Sequence, residues 1–160
     1  MEIKVLAKHE VDLMINWADA IISIRDTIKH TVPFAHPDRP MLVLGFEDTE
    51  HPDEVEWMRM RQSTEYALQF GKQYEKVLVH CNAGVSRSSA IGWLLLVQDG
   101  MDAKEAFQLL YKQRPMIWPN QVVMDFGDKI LGKNGELRKL AIEINTEIAQ
   151  MKTNYLGYGG

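Results

Sequence analysis

Four short aliphatic runs, each bounded by polar or turn-forming residues, set the pattern of this chain. Ile3 to Leu6, Ala20 to Ile24, Met41 to Phe46 and Val77 to Val79 are β-branched or leucine-rich and too short for helices, so they read as strands of a buried sheet. Elsewhere the apolar period lengthens to three or four residues. His9 to Asn16 reads as a short helix. A long helix opens at Pro52, with Asp53 and Glu54 in its acidic first turn, and reaches about Phe70. Ala90 to Val97 is apolar almost all round, as a helix enclosed by other elements must be. Gly100 stops it, and Asp102 with Glu105 forms a capping pair for the next helix, Ala103 to Gln113. Two prolines interrupt Arg114 to Asn120, and a further helix spans Gln121 to Leu131. Asn134 is placed to cap a last one that runs to about Met151, with Leu137, Leu140, Ile144 and Ile148 along one face. Strand and helix signals in alternation predict an α/β fold of three layers, with a small, mostly parallel central sheet and helices on both sides.

At 160 residues the chain is long enough for one domain with a sizeable core and too short for two. Residues 1–160 are therefore expected to form a single domain, with 152–160 a flexible, glycine-rich tail. Thr27 to Pro40 carries Pro33, Pro37 and Pro40 and no period; it is expected to be an exposed connector or a wall of a substrate cleft. A formal net charge of −4 argues against a broad nucleic-acid or anionic-membrane footprint, so any anion site has to be local. One cysteine excludes an internal disulfide and a resolving partner, and fits a reducing compartment. The N-terminal residues lack the apolar stretch of a signal peptide, and no apolar run approaches the roughly 18 residues of a membrane span. The expectation is a cytoplasmic protein without membrane association. His30 and His36 stand six apart with no second pair of ligands, so no metal site is expected. Oligomeric state is not legible.

The chemistry concentrates where the Val77–Val79 run ends. Cys81 to Arg87 contains no proline, so every residue keeps its N–H, and Gly84 in the middle supplies a backbone angle that a side chain would resist. A strand that ends in such a loop and opens a helix turns several unpaired N–H groups, and the positive end of a helix, toward one point. That point is an anion site. The same field favours thiolate over thiol at Cys81, and Arg87 closes the loop with a planar fork suited to two oxygens of a phosphate.

His80-Cys81-Asn82-Ala83-Gly84-Val85-Ser86-Arg87-Ser88 resembles the H-C-x-x-G-x-x-R-S/T signature of the cysteine-dependent protein tyrosine phosphatases, most closely their small dual-specificity branch. Arg114-Pro-Met-Ile-Trp-Pro-Asn120 resembles the R-P-x-I-x-P-N stretch that follows the signature in that branch. The likeness spans about Ile21 to Leu131. It implies that the Cys81 thiolate attacks phosphorus, that Arg87 and the N–H groups of Asn82, Ala83, Gly84, Val85, Ser86 and Arg87 hold the phosphate oxygens, and that Ser88 eases departure of the thiolate. No cofactor is implied. The reaction also needs an acid for the leaving oxygen and a base for water, and one carboxyl can serve as both. In the family that aspartate lies about thirty residues before the cysteine, after the preceding strand; Asp48 matches, with Asp53 as the alternative. His80 is expected to orient the loop by hydrogen bonding, since it should point to the opposite face of the strand from Cys81. Asn120 is expected either to place the hydrolytic water and brace the loop, or to be a polar residue of the first turn of its helix.

The expected function is phosphomonoester hydrolysis on phosphorylated proteins through a phosphocysteine, with phosphotyrosine alone or phosphoserine and phosphothreonine as well. Asn82, Ala83, Val85 and Ser86 bring no lysine, which disfavours polyphosphorylated inositol lipids. The alternatives are a phosphoprotein-binding module without turnover, an RNA 5′-phosphatase, which the acidic charge disfavours, and a sulfurtransferase, which the loop spacing disfavours.

Overall fold

The computed structural model describes residues 1–26 and 39–155. Most of the expected 27–40 loop, with His30 and His36, and residues 156–160 of the expected tail lie outside the described residues. Four parallel strands form one sheet: β1 (Glu2–Ala7), β2 (Ala20–Arg25), β3 (Met41–Gly45) and β4 (Lys76–Cys81), in the spatial order β1-β4-β2-β3. All four end at the same edge, with Ala7 opposite Cys81 in the register. β4 lies between β1 and β2, both earlier in the chain; the segment that follows β1 covers one face of the sheet and the helix that follows β4 covers the other, so the carboxyl end of β4 opens the crevice where ligands enter open α/β sheets.

The sheet's two faces are covered unequally. On one side α2 (Glu54–Gly71), α3 (Arg87–Gln98), α4 (Ala103–Gln113), α5 (Gln121–Ile130) and α6 (Glu136–Tyr155) build the main core. That core takes Ile22, Ile24, Val77, Val79 and Cys81 from the sheet and Trp93, Leu94 and Leu95 from the enclosed helix. On the other side Ile21 and Leu78 meet Val11 and Ala18, with Trp17 and Met14 packed against them. Strand alternation puts Cys81 with Val79 on the main-core face and His80, buried, with Leu78 on the other. The layers and the parallel sheet agree with the sequence pattern.

Local differences have local causes. His9 to Asn16 is not one helix: a 3-10 turn at Lys8–Glu10, α1 (Val11–Met14) and a second 3-10 turn at Ile15–Trp17 share the span. The Glu10 carboxylate turns back to accept the Ala7 N–H at 2.8 Å, holding the start of the first 3-10 turn. The long helix starts at Glu54, with Asp53 as its cap accepting the Glu56 N–H at 2.8 Å, so Pro52 and Asp53 precede the first turn. Asn134 does not cap α6. It stands at φ 56, and Asp128 of α5 supplies the carboxylate, receiving the Gly135 N–H at 2.8 Å and the Arg138 N–H at 3.0 Å. The last helix continues past Met151 to Tyr155, and the Thr153 hydroxyl donates back to the Ala149 carbonyl at 3.0 Å.

Candidate active site

Cys81 is the last residue of β4, and Asn82 to Ser86 carry the chain from there into α3. Gly84 adopts φ +66, and a Cβ there would lie 2.5 Å from the Ala7 nitrogen, so the position needs glycine for both conformation and space. Each carbonyl from Asn82 to Ser86 is engaged from outside the loop. Asn82 C=O receives the Lys8 N–H at 3.2 Å, Val85 C=O the Trp118 N–H at 2.8 Å, and Ser86 C=O the Asn120 N–H at 3.1 Å. Ala83 C=O and Gly84 C=O receive the Arg114 guanidinium at 3.2 and 2.7 Å. In a trans peptide the N–H points opposite to the carbonyl. Carbonyls held outward therefore leave the N–H groups converging inward, as an anion cradle requires.

The Cys81 sulfur lies in that cradle, 3.0 Å from the Ser88 hydroxyl. Burial alone pushes the thiol up. The Ser88 hydroxyl and the N–H groups of Ser88, Gly84 and Val85 outweigh burial and hold the thiol below its ordinary value. Arg87, the first residue of α3, is buried; its Nη1 donates to Asp26 Oδ1 at 2.6 Å and to the Phe46 carbonyl at 2.8 Å. Among the described residues no protein group accepts from its buried Nε, so that edge of the fork is not satisfied internally.

Asp48 follows β3 and its Oδ1 accepts from the Ser86 hydroxyl at 2.8 Å and from Asn120 Nδ2 at 3.0 Å. The carboxylate is thus bound to the loop that contains Cys81. The segment around it is fixed as well. Glu56 of α2 accepts the Glu47 N–H, Asn120 Nδ2 also donates to the Thr49 carbonyl at 3.1 Å, and the Glu50 carboxylate accepts the Gln121 N–H at 3.2 Å. Burial raises the Glu50 carboxyl and the negative Asp48 adds to the rise, against the opposing Gln121 N–H. Asp53 is occupied as the cap of α2.

Of the residues singled out in the sequence, Cys81, Ser88, Arg87, Ser86, Asp48 and Asn120 form one connected group. Asn120 caps α5, its Oδ1 accepting the Val123 N–H at 3.0 Å, and its Nδ2 donates to Asp48 Oδ1 at 3.0 Å. His80 lies on the opposite face of β4. Asp26, Arg114, Glu10 and Glu56 were not singled out as site residues. Asp26 ends the strand beside β4, which is a signal the sequence held; the contacts of Glu10 and Glu56 depend on tertiary placement. Among the described residues no group of three or more His, Cys, Asp or Glu side chains is arranged to hold a metal ion.

The dual specificity phosphatase catalytic-domain family model matches residues 1–127. Two Dictyostelium discoideum proteins are similar over about half of the chain. MAP kinase phosphatase with leucine-rich repeats protein 2 is 34% identical over 80 residues, covering 49% of this chain and 11% of that protein. Protein 3 of the same description is 37% identical over 78 residues, covering 48% and 9%. The chain therefore matches only about a tenth of the length of these relatives. Among solved structures, the human tyrosine phosphatase-like serine/threonine/tyrosine-interacting protein superposes with a TM-score of 0.52 at 25% identity, over 80% of this chain and 86% of that one. Human DUSP28 superposes with a TM-score of 0.55 at 20% identity, over 82% and 92%, a likeness of fold.

Proposed function

Because the chain belongs to the dual specificity phosphatase catalytic-domain family, we propose that it hydrolyses phosphate monoesters on phosphorylated proteins, phosphotyrosine and phosphothreonine alike, through a phosphocysteine on Cys81. The N–H groups of residues 82–87, those of 83–87 turned inward by their outward-held carbonyls, and the free edge of Arg87 bind the phosphate oxygens. The Cys81 thiolate attacks phosphorus, the ester P–O bond breaks, and the leaving oxygen takes the Asp48 proton. Water then attacks the phosphocysteine, Asp48 accepts its proton, the S–P bond breaks, and the Ser88 hydroxyl stabilises the departing thiolate. Positive charge for both steps comes from Arg87 and the peptide dipoles, so this route calls for no metal ion. Asn120 serves as a brace for Asp48 and His80 supports the strand behind the loop.

The observation that carries this reading is the Asp48–Ser86 hydrogen bond. A carboxylate fixed on the rim of an anion cradle repels a phosphate ligand, which a module built only to bind phosphopeptides would avoid. It is what proton transfer to a leaving group needs. That contrast favours turnover over the binding-module alternative, and the net charge of −4 favours protein over RNA substrates. No helix among the described residues is long and apolar enough to cross a membrane; the single cysteine is in keeping with a cytoplasmic setting.

Asp48→Asn keeps both acceptor contacts but removes the proton. Turnover of a phosphotyrosyl peptide is expected to fall by roughly 10²–10⁴-fold. The loss should shrink sharply for an aryl phosphate whose leaving group needs no proton, such as a dinitrophenyl ester. Steady-state kinetics on the two substrates across pH checks this, and near-full activity on the peptide would remove Asp48 from the role.

A further inference from the structure

Arg114 is absent from the mechanism above, yet both edges of its guanidinium are engaged. Nε and Nη2 reach the Gly84 carbonyl at 2.7 Å and the Ala83 carbonyl at 3.2 Å. The other edge faces Glu10, with Nη1 to Oε2 at 3.2 Å and Nη2 to Oε1 at 2.9 Å. Glu10 Oε1 also accepts the N–H of Ala7, the residue in register with Cys81. The Ala83 carbonyl and the Gly84 N–H belong to one peptide group; the Gly84 carbonyl and the Val85 N–H belong to the next. Those two N–H groups are among the donors to the Cys81 sulfur. Arg114 therefore grips, from behind, two of the peptide groups whose other ends face the nucleophile.

We propose that Arg114 is a positioning residue for Cys81, fixing the Ala83–Gly84 and Gly84–Val85 peptide groups so that their N–H ends point at the sulfur. This rests on the reading of Cys81 as the nucleophile. The fork suits the task because two carbonyls are held at once by adjacent N–H groups in a fixed plane, which an ammonium cannot do. The hydrogen bonds also polarise each peptide group, strengthening the donor at its far end. Glu10 carries the opposite charge, so the pair adds little net field at the sulfur; the effect travels through the peptide planes. Its carboxyl is held below the usual range by Arg114 first and the Ala7 N–H second, and stays ionised wherever the thiolate would act. Other charged groups near the loop include Lys8, whose N–H holds the Asn82 carbonyl, His9, which adds to the field on Glu10, Arg87 with Asp26, and Asp48; none of them touches Arg114 in the contacts above.

The test is the pH dependence of iodoacetamide alkylation in the folded protein, which reports Cys81 alone because the chain has one cysteine. Arg114→Gln is expected to raise the alkylation midpoint by about one pH unit. Arg114→Lys, which keeps the charge but loses the fork, is expected to raise it by a similar amount. The acidic limb of kcat/KM should move by the same amount in each. A lowered melting temperature with an unmoved midpoint in both variants would make Arg114 purely structural and overturn the proposal. So would a wild-type midpoint in Arg114→Lys beside a shifted one in Arg114→Gln, which would mark a bare charge effect. Should Arg114→Gln fail to fold, the Lys variant decides alone, a shift supporting the proposal and none overturning it. Alkylation does not depend on turnover, so a wild-type protein that released no phosphate would count against the proposed function and leave this measurement intact.

Discussion

Cys81→Ser is expected to abolish turnover of a phosphotyrosyl peptide, by about 10⁴-fold or more, while affinity for the peptide stays near wild type. The two side chains differ by one atom, and the buried cradle that holds sulfur also accommodates oxygen. What changes is acidity. A thiol near pKa ~8.5 needs only a modest push from the Ser88 hydroxyl and the N–H groups of Ser88, Gly84 and Val85 to ionise near neutrality. An aliphatic hydroxyl, an acid about as weak as water, stays protonated in the same field. The cradle, with its outward-held carbonyls and Arg87, is untouched by the substitution, so the phosphate still binds. Parallel measurements of kcat and of peptide affinity by fluorescence titration check both halves. A serine variant retaining a tenth of wild-type turnover would mean that Cys81 is not the nucleophile.

Arg87→Lys is expected to lower kcat by about 10²–10³-fold, the cost typical of losing one positioned donor to a developing oxyanion. Charge is conserved in this change, but geometry is not. The Arg87 Nη1 is committed to Asp26 and to the Phe46 carbonyl, so these contacts aim the rest of the fork at the cradle. A lysine has one nitrogen with which to satisfy Asp26, Phe46 and the phosphate together. The side chain is buried, so a shortened one also leaves the Phe46 carbonyl short of a donor, at roughly 1–3 kcal/mol. The kinetic effect should therefore appear with a smaller fall in melting temperature. If kcat is unchanged while the melting temperature drops, Arg87 is a structural ion-pair partner and nothing more.

The part of the site that could be read from the sequence is the part built from contiguous residues. Strand, loop and helix around His80 to Ser88 each carry their own local signal, and Gly84 marks the turn between them. Asp48 was legible at one remove, since a strand end locates it without a contact map. The strand end at Asp26 and the motif position of Arg114 were visible, but their roles were not, because their partners lie 61 and 30 positions away. The same reason explains Asn134. A residue of the right type stood at the right place before α6, but Asp128 on the previous helix reached the same N–H groups first. Propensity read the sheet well, since four apolar runs leave few alternatives. It read His9 to Asn16 poorly, since that span is divided between a 3-10 turn, a four-residue helix and a second 3-10 turn.

The covalent intermediate gives the most direct test of the account. Ser88 lies 3.0 Å from the sulfur, so Ser88→Ala should slow thiolate departure more than phosphoryl transfer and let the phosphocysteine build up. This variant would be mixed with a phosphotyrosyl peptide in the presence of a chelator, quenched in denaturant at neutral to alkaline pH at a series of times, and weighed by mass spectrometry. The account predicts one phosphoryl group on the peptide that contains Cys81, rising and then decaying as inorganic phosphate appears. Release of phosphate with no phosphoryl group on Cys81 at any time, or no release even by the wild-type protein, would contradict it.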